Sequence, residues 1–258
     1  MNGVIMDLKD KVAIVTGAAS GLGNATARRL AGLGARLALV DLQAAGMSAL
    51  AQETGALTLA CDVADGATSE AAFARILLER GRPHLLVNCA GIAPGARIVE
   101  KEGPGSLDEF ERIVRVNLTG TYNWLRLAAA AMVENAPDEE GQRGVIINTA
   151  SVAAYEGQIG QTAYAAAKGG VASLTLPAAR ELARHGIRVA AIAPGLFGTP
   201  MVEAMTQEVQ DRVFEVIPFP KRPGRPDEFA RMVLSIIANP MINGSVLRLD
   251  AGLRMQAR

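Results

Sequence analysis

The chain has little with which to cross-link itself, bind a metal or grip a polyanion. Its 258 residues include two cysteines, Cys61 and Cys89, and no Cys-x-x-Cys. Two isolated thiols make no disulfide framework, and a reducing compartment is the simplest setting. The two histidines, His84 and His185, lie at element ends without metal-ligand spacing, so no metal site is expected. Net charge is zero, with 26 basic and 26 acidic residues. That excludes the basic footprint with which a nucleic-acid binder neutralises phosphates. No stretch approaches the ~20 apolar residues of a membrane span. Residues 1–11 carry Asp7, Lys9, Asp10 and Lys11 and no apolar run of signal-peptide length. Repeats and low-complexity tracts are missing as well. These absences lead to the expectation of a soluble, cytoplasmic protein whose partner is neither nucleic acid nor membrane.

What is present is apolar and rhythmic. Half of the residues are hydrophobic, enough for one large core. The length suits a single open α/β sheet. Short apolar runs at Val12–Thr16, Arg36–Asp41, Leu57–Val63, Leu85–Asn88, Val145–Thr149, Ile187–Ala193 and Val246–Asp250 read as seven strands. Helical patterns fall between them: one opening near Gly23, then 45–54, 66–80, 107–134, a helix through Tyr164 ending near Gly186, and 226–238. Such alternation predicts a doubly wound α/β, Rossmann-type fold, a seven-stranded parallel sheet with helices on both faces, as one domain over residues 1–258. Residues 93–106, rich in glycine and proline, read as an irregular loop, and 93–106 and 194–216 as substrate loops. Within the latter, 201–216 carries Met201, Met205, Val213 and Phe214. It reads equally as a mobile lid over an apolar substrate or as an ordinary surface helix.

In such a sheet ligands sit beyond the carboxyl ends of the strands, and the polar and glycine-rich positions gather there. Gly17-x-x-x-Gly21-x-Gly23 joins the first strand to the first helix. Gly17 suits a tight turn, Gly21 a close backbone approach to a pyrophosphate, Gly23 helix-on-strand packing. The helix N-terminus offers free N–H groups to phosphate. Asp41 ends the second strand, placed to accept from an adenosine ribose. Its charge would repel a 2′-phosphate, and no Arg or Lys lies in the glycine turn or directly after it, so NAD is expected over NADP. Asp62 follows the third strand. Asn88-Cys89-Ala90-Gly91 follows the fourth, its small residues suggesting backbone close to a ligand. Cys89 reads as a small apolar residue. Asn117 interrupts an apolar helical stretch, a poor place for asparagine unless it bonds something or faces water. Ser151 follows the fifth strand. Tyr164 and Lys168 share a helix face four residues apart. A neighbouring ammonium should lower the phenol's pKa and make Tyr164 a proton donor and acceptor near neutrality.

Together Thr16-Gly-x-x-x-Gly-x-Gly23, Asn88-x-Ala-Gly91, Asn117, Ser151, Tyr164-x-x-x-Lys168 and Pro194-Gly195 resemble the short-chain dehydrogenase/reductase family over essentially the whole chain. Gly141–Ala154, Ile192–Pro200, the loop at 93–106 and the ending Arg248-Leu-Asp-x-x-x-Arg-Met255 are similar to the branch acting on 3-hydroxyacyl-CoA thioesters. The resemblance implies an NAD-dependent oxidoreductase that moves hydride between NAD and a secondary alcohol or ketone, most closely 3-hydroxyacyl-CoA, in a homotetramer. Steroid or other cyclic alcohols are the nearest competitors, and a non-catalytic NAD-binding module the alternative of another class. It also implies roles. Ser20 and Leu22 join the glycine turn on the pyrophosphate, with Asp41 on the ribose and Asp62 and Val63 along the adenine. Cys89, Ala90, Gly91, Pro194, Phe197 and Thr199 border the nicotinamide end. Lys168 holds the nicotinamide ribose, Tyr164 exchanges the proton, Ser151 fixes the substrate oxygen, and Asn117 holds a relay water. Gln158 and Gln161 flank the substrate opening. Arg97 and Lys101 either meet CoA phosphates or are simply solvated.

Overall fold

The computed structural model describes residues 6–203, 208 and 214–257. Its strands are β1 (Val12–Thr16), β2 (Arg36–Asp41), β3 (Leu57–Ala60), β4 (Leu85–Asn88), β5 (Gly144–Thr149), β6 (Ile187–Pro194) and β7 (Val246–Leu249). All pair in parallel, in the order β3-β2-β1-β4-β5-β6-β7. The direction of growth reverses between β1 and β4, which opens a crevice beyond their carboxyl ends. The register is level there: Thr16 pairs with Asn88, and Asn88 with Asn148. Residues following these strands therefore emerge side by side.

The continuous apolar runs are explained by burial on both faces. Alternate residues of β1 point opposite ways. Ala13 and Val15 join Leu30, Leu50 and Phe229 from α1 (Gly21–Gly32), α2 (Ala44–Thr54) and α7 (Pro226–Ala238). Val12 and Ile14 join Ile76, Trp124 and Ala179 from α3 (Gly66–Glu79), α5 (Gly120–Met132) and α6 (Thr162–Ala183). Trp124 and Phe229 are fully buried, and each such side chain contributes roughly 1.5–3 kcal/mol.

Two segments differ from the sequence expectation. The stretch expected as one long helix over 107–134 is continuous, but it is α4 (Leu107–Val114), then one wider π-helical turn at Arg115–Thr119, then α5. Asn117 sits in that turn, and its side-chain amide donates to the Ile113 carbonyl at 3.0 Å, the acceptor a regular α-turn would give to the Asn117 backbone. The loop at 93–106 is partly ordered, with Val99–Glu100 pairing antiparallel to Gly103–Pro104. Ala96 also bonds Gly160, which fastens the loop beside α6. Of the segment 201–216, Met205 and Val213 lie outside the described residues; a short helix at Pro200–Glu203 precedes them.

Arg188 is a buried cation in the middle of this apolar frame. From β6 it donates to the carbonyls of Ile236, Ile237, Asn239 and Ile242 at 2.9–3.2 Å and to Gln142 at 2.6 Å. It thus serves the carbonyls left unpaired at the end of α7. Arg188→Met is expected to lower stability by about 3 kcal/mol, the scale of losing charge-assisted bonds to buried carbonyls. A urea denaturation midpoint unchanged from the parent would contradict this.

Candidate active site

The site assembles where the level strand ends meet. Gly17 turns the chain out of β1 at φ 68°, and a Cβ there would lie 2.6 Å from the Ala90 nitrogen. The turn and the loop after β4 are in contact, backbone against backbone. Thr16 holds them so: its Oγ1 accepts from the N–H groups of Cys89 and Ala90, both at 3.2 Å, and donates to Asn88 Oδ1 at 3.3 Å. Asn88 in turn donates to Asn148 Oδ1 at 3.0 Å. A Cβ on Gly23 would collide with the Gly17 carbonyl, so α1 can start this close to β1 only with glycine there.

Asn117 is completely buried. Its amide clasps the backbone of Ile92, donating to the carbonyl at 2.8 Å and accepting from the N–H at 3.2 Å. A Cβ on Gly91 would lie 2.6 Å from Asn117 Oδ1 and 3.5 Å from Lys168 Nζ. Of the two openings its sequence allowed, Asn117 takes hydrogen bonding and not solvent.

Tyr164 and Lys168 leave α6 on one face. Lys168 Nζ lies 5.8 Å from the Tyr164 ring centre and donates to the Thr149 carbonyl at 2.8 Å. Burial pulls its pKa down to about 8. Tyr164 departs from the sequence expectation. Burial raises its phenol above the ordinary range, with a hydrogen bond from the Ser151 hydroxyl working the other way. Removal from water outweighs that hydrogen bond, so the phenol moves opposite to the sequence expectation. Cys89 is a thiol pushed up to about 12 by burial.

These groups line a crevice of about 220 Å³ that includes Ser151, Tyr164 and Lys168, Gln161, and Phe197 and Thr199 of the loop after β6. A second cavity of about 450 Å³ runs past Asp41, Asp62 and Val63. The two share Ser20 and Gly91 in their linings, so they adjoin at the glycine turn as two halves of a trough. Asp41 accepts from the N–H groups of Ala19 at 3.0 Å and Gln43 at 2.9 Å, which fixes its carboxylate at the trough wall.

The family model described as short chain dehydrogenase matches residues 11–210. The chain belongs to that family. It is 49% identical over 253 residues to the human protein named 3-hydroxyacyl-CoA dehydrogenase type-2, covering 96% of this chain and 97% of the relative. The Drosophila melanogaster protein of that name is 46% identical, covering 96% and 99%. The crystal structure titled 3-hydroxyacyl-CoA dehydrogenase type-2 from Mycobacterium avium is 42% identical and superposes with a TM-score of 0.93, covering 99% and 100%.

As a short-chain dehydrogenase the chain is an oxidoreductase using a nicotinamide cofactor, and its residues fit that group. Glycines at 17, 21 and 23 let the turn approach the loops after β4 and β6 more closely than side chains would allow, and an anchored carboxylate stands in the adjoining cavity. Most residues named from sequence meet along the trough. Gln158 does not: its backbone N–H donates to Gln161 and its amide to the Gln256 carbonyl, both at 3.0 Å. Arg97 and Lys101 are exposed on the loop. Several lining residues were given no site role from sequence, among them Arg112, Arg115 and Met255. Arg112 and Arg115 reach the Asp62 end from the π-turn region, Arg115 coming 3.9 Å from Asp62. Met255 arrives from the C-terminal segment. Arg112 and Arg115 carry no local motif, Met255 entered only as part of the C-terminal resemblance, and three-dimensional closure brings all three to the site.

Lys168 has a measurable cost. Between pH 8 and the ordinary 10.5 the folded chain binds fewer protons at this amine than the unfolded chain, so this group's contribution to stability rises with pH in that window and is least favourable below it. Lys168→Met is expected to be inactive yet to melt above the parent at pH 7, by about 2–4 °C for each kcal/mol gained. The gap should narrow as pH rises above 8. A lower melting temperature at pH 7 would count against the assignment.

Proposed function

We propose that this enzyme interconverts 3-hydroxyacyl-CoA and 3-oxoacyl-CoA thioesters with NAD, as a cytoplasmic homotetramer. The observation that carries the reading is the meeting of Ser151, Tyr164 and Lys168 on one apolar-walled crevice that adjoins the cavity lined by Asp41. The names of the relatives support the thioester, and Asp41 supports NAD over NADP. Among the described residues no helix is long and apolar enough to cross a membrane.

In this reading the bound dinucleotide supplies the hydride acceptor. Gly17, Ser20, Gly21, Leu22 and Gly23 receive its phosphates, Asp41 its ribose, Asp62 and Val63 its adenine, and Cys89, Ala90, Gly91, Pro194, Phe197 and Thr199 its reactive end. Ser151 orients the substrate oxygen and stabilises charge growing there. Tyr164 takes the hydroxyl proton at its phenol oxygen. Lys168, held on Thr149, supplies the positive charge that favours the phenolate; Asn117, its amide hydrogens spent on the Ile92 and Ile113 carbonyls, has an oxygen lone pair left to accept from a water that relays the proton outward. Gln161 borders the substrate, with Gln158 bracing it.

NADH absorbance with a panel of acyl-CoA and steroid alcohols, under both cofactors, tests the proposal. Thioesters with NAD should give the highest kcat/KM. Tyr164→Phe should lower kcat by about 10²–10⁴-fold, and Asp41→Ala should raise the KM for NAD about tenfold or more. Steroid turnover without thioester turnover would overturn the substrate. No turnover by the parent on any alcohol would leave only a nucleotide-binding module.

A further inference from the structure

The best-connected ionic cluster beside the crevice has no part in the chemistry above. Glu156 ends the short helix Ala153–Glu156, just after Ser151. Its carboxylate accepts from Arg248 at 2.8 Å and from the Met255 backbone N–H at 2.9 Å, with Arg254 Nε at 3.4 Å. Arg248, on β7, also donates to Asp250 at 2.6 Å and to the Leu253 carbonyl at 3.0 Å, and covers the Tyr155 ring at 5.7 Å. Arg254 reaches Asp250 at 3.2 Å. Two further bonds extend the seam: Ile159 N–H to the Ala257 carbonyl and the Gln158 amide to the Gln256 carbonyl, both at 3.0 Å. The Asp250 side chain is 9% exposed, that of Glu156 20% and that of Arg248 25%, so the Arg248 pairs are shielded more than ordinary surface pairs, while Arg254 is largely exposed. The hydrogen bond from Arg248 holds the Glu156 carboxyl below the usual carboxylate range.

The seam lays residues 250–257 along 155–161, and between its bonds Met255 lines the crevice that holds Ser151 and Tyr164. We propose that Met255 is a specificity-determining residue that packs on the apolar part of the substrate, and that Glu156 and Arg248 are positioning residues that hold it there. Met255 is the one side chain the C-terminal segment contributes to the described crevice wall, and its backbone N–H is bonded by the same carboxylate that receives both guanidinium groups. Methionine is unbranched and adaptable, suited to acyl chains of differing length. The chain-length aspect rests on the thioester reading above.

The test is a kcat/KM series on short-, medium- and long-chain 3-hydroxyacyl-CoA thioesters, run in parallel on plain secondary alcohols of increasing length. Met255→Ala should leave the shortest substrates within about twofold and lower kcat/KM for the longest about tenfold, through KM, on the scale of lost methylene contacts in an apolar pocket. Glu156→Gln should shift the profile the same way, and the double variant should add nothing to Met255→Ala, as coupled residues do. A ratio of long to short unmoved by Met255→Ala overturns the specificity role. A Glu156→Gln loss equal on every substrate, or additive with Met255→Ala, overturns the positioning role. A parent that oxidises plain alcohols but no thioester defeats the acyl-CoA reading alone, because the alcohol series still reports on Met255.

Discussion

One amide side chain, that of Asn117, holds the parts of the site in relation to each other. It binds both backbone groups of Ile92, lies against Gly91, and widens its own helix by one π-turn to do so. The loop after β4 is thereby fixed from one side by Asn117 and from the other by Thr16. Its backbone can then serve as the wall between the two halves of the trough. An unpaired amide at full burial would cost about 1–3 kcal/mol, so the arrangement stands only because every contact is made together.

Much of this was legible in the sequence because it depended on local rules. Apolar runs buried on both faces, separated by helical periods, leave little choice but a parallel sheet. The glycine spacing and the carboxylate ending β2 then mark one end of a dinucleotide trough. The Tyr164 and Lys168 pair was equally plain from helical geometry. What lay beyond reach depended on distance in the chain. Met255 gains its place from an ion-paired seam with residue 156, and Arg115 from a π-turn that no propensity announces. Asn117 was visible as an anomaly, but its partner, the backbone of Ile92, carries no side-chain signature.

The phenol illustrates how magnitude decides between effects that sequence can only name. Adjacency to an ammonium argued for easier ionisation, but enclosure argues against it and prevails over the hydrogen bond from Ser151. The same enclosure weakens the charge on Lys168. The site is thus held in a state less comfortable than water would allow, a condition usual where stability is yielded to activity.

Cys89 has a consequence of a different kind. Its sulfur stands beside the reactive crevice, bonded by the Thr149 hydroxyl at 3.7 Å, with its acidity suppressed to about 12. Electrophiles and peroxides attack the thiolate, so burial that keeps this thiol protonated makes it a packing residue and not a reactive one.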